Sequence, residues 1–103
     1  MSADRDSLLR EIVEDRVATA MARTDVALAA IRAEVERAVT KFPAFHSAHE
    51  GYAVALEEVD ELWAEVKRSR PDHAAMQTEA LQCAAMFVRF LTDVTMPKVE
   101  VAR

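Results

Sequence analysis

Glycine occurs once in the 103 residues, at Gly51, and proline three times. Sandwiches and barrels of short strands need turns about every 8–12 residues, so this shortage excludes an all-β fold. A single glycine also excludes a phosphate-cradling P-loop and a dinucleotide-binding fingerprint. The lone cysteine, Cys83, can form no internal disulfide, which fits a reducing compartment. Basic residues are outnumbered, 13 Lys and Arg against 18 Asp and Glu, for a net charge of −5. A nucleic-acid polymer wants a basic stripe and is not an expected partner. No apolar run approaches the roughly 20 residues of a bilayer span, and no membrane partner is expected. The start, MSADRDSLLREIVEDR, lacks the apolar region of a signal peptide, so a cytoplasmic protein is expected. What is abundant is hydrophobic residues, 51%, beside 30% charged ones, the composition of a soluble helical domain. The length allows one domain, residues 1–103. So short a chain has much surface for its volume, which favours self-association.

Helical periodicity dominates the chain. Apolar or small residues recur at Val13, Val17, Met21, Thr24, Leu28, Ile31, Val35 and Ala38, in steps of three and four. This predicts a long helix over about 6–40, with Thr24-Asp25 as a place where a second helix could be capped. Pro43 interrupts it. Ser47-Ala48-His49-Glu50 has the spacing of a capping box, in which the Glu50 carboxylate returns to Ser47. It opens a second helix from about Ala48 to Arg68, whose expected core stripe is Tyr52, Ala55/Leu56, Val59, Leu62/Trp63 and Val66. Ser69-Arg70-Pro71-Asp72 breaks the chain. A third helix follows from His73 to Val94, apolar nearly all round, as in a helix buried within a bundle. Met96-Pro97 ends it, leaving a tail over 96–103. The expected fold is all-α: a long N-terminal helix plus an antiparallel hairpin over about 48–94.

The second helix carries four carboxylates in five residues, Glu57, Glu58, Asp60 and Glu61. Glu58 and Glu61, three apart, share one side of a helix, and so do Glu79 and Gln82 on the third. If the hairpin turns near Arg70, Glu61 falls level with Glu79 and Glu58 with Gln82. Three carboxylates and one amide then meet between two helices. Like charges so close repel unless a cation neutralises them or some bind protons. Hard oxygen donors suit Mg²⁺ or Mn²⁺. Glu79 stands out, because it lies beside Met76, Cys83, Met86 and Phe90 at the edge of an apolar stripe, where an unpartnered carboxylate is costly. The plainer reading of the same residues is a solvated acidic face.

At these residues the chain resembles the MazG-like superfamily of all-α nucleoside triphosphate pyrophosphohydrolases. The resemblance covers roughly residues 42–93. It is carried by His49-Glu50-Gly51-Tyr52-Ala53, by Leu56-Glu57-Glu58-Val59-Asp60-Glu61-Leu62, and by Glu79-Ala80-Leu81-Gln82-Cys83-Ala84-Ala85-Met86. Family members carry an ExxE pair on one helix and an ExxD pair on the next. The resemblance therefore implies Mg²⁺ ligation by Glu58, Glu61, Glu79 and Gln82, and hydrolysis of a nucleoside triphosphate to the monophosphate and pyrophosphate. It also implies a helical bundle completed by oligomerisation, as a homodimer or homotetramer. Gln82 stands where the family has Asp, which removes one charge and puts a second ion, and turnover itself, in doubt. Asp60 could supply the missing charge if the helix were rotated; Asp93, 14 residues beyond Glu79, is too distant.

On this reading a glutamate orients the attacking water. Glu57 and Glu58 are the catalytic candidates, and Glu61 or Glu79 could also serve as the base. Lys41 and Arg89 are candidate substrate-binding cations for the phosphates, or solvated surface charges. Phe42, Phe45 and Trp63 could wall a base pocket, although Trp63 falls on the core stripe. His46 and His49 lack a third soft ligand nearby and do not spell a zinc site. Cys83 reads as a small core hydrophobe, and Ser47 is committed to its cap. The competing function is a non-catalytic helical interaction protein, with a seam along Val17, Met21, Leu28, Ile31 and Val35, or a nucleotide-sensing module without turnover.

Overall fold

The computed structural model describes residues 2–99 and 101. Its described elements are helical throughout: α1 (Ser2–Lys41), α2 (Ala48–Val66), α3 (His73–Phe90) and a π-helical turn over Leu91–Thr95. No strand occurs among the described residues. Thr24 starts no new helix. Its hydroxyl donates to the Ala20 carbonyl at 2.8 Å, within α1. Of the tail expected over 96–103, positions 100, 102 and 103 lie outside the described residues.

The chain divides into two units, Met1–Ala30 and Ile31–Arg103. In the first, the helical stripe is exposed: Val13, Val17, Met21 and Leu28 each keep about half their surface. In the second, the same stripe continues through half-buried Ile31 and Val35 to buried Ala38. There it joins a small core of Phe45, Ala55, Ala85 and Met86, with Val35, Val54 and Val94 packed against it.

Ser47 caps α2 as expected, accepting from the Glu50 amide at 3.1 Å. The return half of the box differs. The Glu50 carboxylate accepts from the His46 amide at 3.3 Å and lies 3.1 Å from His46 Nδ1, one residue before the cap. That hydrogen bond holds the Glu50 carboxyl below the usual carboxylate range. Asp72 caps α3, accepting from the Ala75 amide at 3.0 Å.

The hairpin closes on small residues. A Cβ at Gly51 would lie 2.8 Å from Phe90 Cδ2 and 3.1 Å from Phe45 Cδ2, so α2 approaches α3 here only because Gly51 has no side chain. Gly51 and Ala55 are buried, and Val54, Glu58, Leu62 and Glu65 are half-buried. Ala55 and Leu62 belong to the expected stripe, but the face is turned away from the rest of it. Tyr52, Leu56, Val59, Trp63 and Val66 are exposed instead. The reason is steric: close approach of two helices favours glycine and alanine at the crossing over a ridge of large side chains.

Candidate metal centre

Pairing Gly51 with Phe90 fixes the register of the hairpin, and with it the acidic residues. Glu58 and Glu61 project from α2 and Glu79 from α3. One carboxylate oxygen from each lies within 4.8 Å of the other two. The level predicted from a turn near Arg70 is the one observed for Glu58, Glu61 and Glu79.

Two of the three carboxylates are partly removed from water. Glu58 Oε2 and Glu79 Oε2 are buried and have no hydrogen-bond partner. Burial, followed by the negative charge of Glu61, pushes both carboxyls above the usual range. Glu79 and Glu57 add to the effect on Glu58, and Glu65 to that on Glu79. Cys83 is buried nearby. Burial first, then Glu58 and Glu79, raise its thiol, which leaves it an inert core residue.

The donor set fits a hard divalent cation. Three carboxylates converge within ion-bridging range, and two orphaned oxygens lack any other partner. Soft ligands are not part of the cluster. A solvated acidic face would leave such oxygens to water; here two of them are shielded from it. Asp60 is exposed and outside the cluster. Asp93 is used elsewhere, accepting from the Phe45 amide at 3.2 Å.

A cleft of about 490 Å³ adjoins this cluster, with Glu57, Glu58 and Gln82 on its wall. Gln82 is half-buried and Glu57 exposed. Arg37, Lys41, Phe42, Pro43, Phe45 and Arg89 line it as well. Lys41, at the end of α1, is exposed there, and so is Phe42. Trp63 lies outside this cleft, exposed on α2.

Arg89 lines the same cleft but is not a surface cation. Only 3% of its surface is exposed. Its guanidinium donates to the Pro43 carbonyl at 2.9 Å and stacks 4.4 Å from the centre of the Phe45 ring, with Asp93 4.0 Å from Nε. It therefore pins the loop between α1 and α2 onto α3. Arg37 and Glu34, which pair with each other at 3.0 Å, were not singled out from the sequence. The helical spacing of Arg37 and Lys41, four residues apart, was the available signal.

No family model, curated protein or solved structure matches the chain.

Proposed function

We propose that this chain is a divalent-metal-dependent nucleoside triphosphate pyrophosphohydrolase of the MazG-like type, acting in the cytoplasm as a homodimer or homotetramer. The observation that supports this most is the trio Glu58, Glu61 and Glu79, gathered from two helices with two buried oxygens unpartnered. On this reading the three hold Mg²⁺ or Mn²⁺, with the Gln82 carbonyl as a neutral fourth donor. The ion, when bound, supplies Lewis-acid neutralisation of phosphate charge.

The remaining work falls to the protein's own groups. An acidic chain repels a triphosphate, so Lys41 and Arg37 on the cleft wall attract its oxygens. Phe42 offers an exposed aromatic face to the base, and buried Phe45 also lines the cleft. Glu57 stands on the cleft wall outside the carboxylate trio, free to take the proton of an attacking water. Glu58 is the second candidate for that role, its carboxyl already made more basic by burial. Water adds at phosphorus, the bond between the α- and β-phosphates breaks, and pyrophosphate leaves.

The test measures phosphate release, with added inorganic pyrophosphatase, across a panel of NTPs and dNTPs with Mg²⁺. Turnover is expected, falling at least about 100-fold in Glu58→Ala and Glu79→Ala with helix content unchanged. Millimolar Mn²⁺ should raise the melting midpoint of the wild type by about 5 °C or more, and not that of the variants. Gln82, uncharged where the family has Asp, favours a second reading, a nucleotide-sensing module. That reading gains if the metal-dependent shift occurs without turnover. Loss of both leaves a helical interaction protein.

A further inference from the structure

Met86 stands between the small core and the cleft. It packs with Ala38, Phe45, Ala55 and Ala85 and keeps 7% of its surface exposed. It also lines the cleft of about 490 Å³. Its thioether sulfur accepts from Arg89 Nη1 at 3.5 Å, three residues along α3. A thioether is a weak acceptor, whereas a guanidinium carries five donors. Among the described residues, the one oxygen acceptor of this buried guanidinium is the Pro43 carbonyl, at 2.9 Å. Nε has no partner, and Asp93 stays 4.0 Å away from it. Arg89 is thus a buried cation short of acceptors, which is costly.

We infer that Met86 is an oxidation site and that Arg89 is the receptor for its sulfoxide oxygen. A hydroperoxide, ROOH, is the oxidant. The sulfur lone pair attacks the terminal oxygen, so the S–O bond forms as the O–O bond breaks. Sulfur loses two electrons. The leaving RO⁻ takes the proton of the transferred oxygen and departs as ROH, or as water when the oxidant is hydrogen peroxide.

A sulfoxide ordinarily disrupts a core, because it sets a strong dipole among apolar atoms. Here the new oxygen forms on the atom that the guanidinium already faces, and it is the strong acceptor that Arg89 lacks. The cleft supplies a path for a small oxidant. Met21 and Met96 differ, since each keeps about half its surface exposed and an oxygen added there meets water. The guanidinium that takes the sulfoxide is also the one holding Pro43 on the cleft wall. Oxidation therefore sets two acceptors in competition for Arg89 and writes the redox state of Met86 into that wall. Neither a metal nor a nucleotide enters the argument, so the inference stands or falls separately from the proposed activity.

Millimolar hydrogen peroxide, applied to the folded chain, tests it, with each methionine followed by peptide mass mapping. Met86→Leu, a volume-conserving exchange, reports under the same treatment what oxidation elsewhere does. Met86 should gain one oxygen while the chain stays folded. The melting midpoint should fall by less than about 4 °C beyond the control, since an unsatisfied buried dipole would lower it by more. The Arg89 guanidinium N–H signals in nitrogen-15 spectra should shift, and their exchange with water should slow at least about tenfold. A Met86 that stays reduced until urea unfolds the chain overturns the inference. So does a larger fall in the midpoint, or an Arg89 signal that does not respond.

Discussion

At the scale of single residues, the chain places charge where burial makes it expensive, at Glu58, Glu79 and Arg89. For the two glutamates the pH consequence follows from linkage. Their folded carboxyls are raised, so above about pH 4.3, the ordinary glutamate value, the folded state holds protons that the unfolded chain has released. Their contribution therefore favours folding at low pH and is lost as pH rises through the raised values. Without metal, Glu79→Gln should melt about 2–4 °C above wild type at pH 7 and show a flatter pH dependence from pH 4 to 7. Scanning calorimetry across that range checks both. Arg89 has the opposite character, since its charge is spent on the Pro43 carbonyl and the Phe45 ring. Arg89→Ala should cost about 2–4 kcal/mol in urea unfolding. The trio was legible in the sequence because helical spacing and hairpin level are arithmetic. The burial of Arg89 was not, because nothing local says that residues 43–45 fold back over it.

At the scale of elements, the helices were legible to within about four residues, from periodicity, the Ser47 and Asp72 caps and the prolines. The face that α2 turns inward was not. Hydrophobicity pointed to Tyr52, Leu56 and Trp63, but the contact is decided by how closely two backbones can approach, which Gly51 and Ala55 permit. Gly51→Ala tests this reasoning because two effects oppose each other. Helix propensity alone predicts a gain of about 1 kcal/mol. The new methyl meets Phe90 and Phe45, and the overpacking should outweigh that gain, for a net loss of about 1–2 kcal/mol in urea unfolding. Ser47→Ala, which removes the cap bond, should cost about 1 kcal/mol by the same measurement.

At the scale of the whole chain, acidity sets the terms. A net charge of −5 leaves anionic substrates dependent on local cations or a bound dication. Among the described residues, no helix is long and apolar enough to cross a membrane. Composition made the all-α class legible. It could not reveal which apolar residues of α2 stay exposed, since that depends on which faces of the hairpin meet. One further consequence belongs to the π-helical turn at Leu91–Thr95. It holds Asp93, the acceptor for the Phe45 amide, just beyond Arg89, the donor to Pro43. The wall of the cleft is thus moored to the last helical turn among the described residues. Loosening that hawser, by cutting the chain after Phe90, should let the Phe45 amide exchange its hydrogen faster while the amides at the centre of α3 keep their protection.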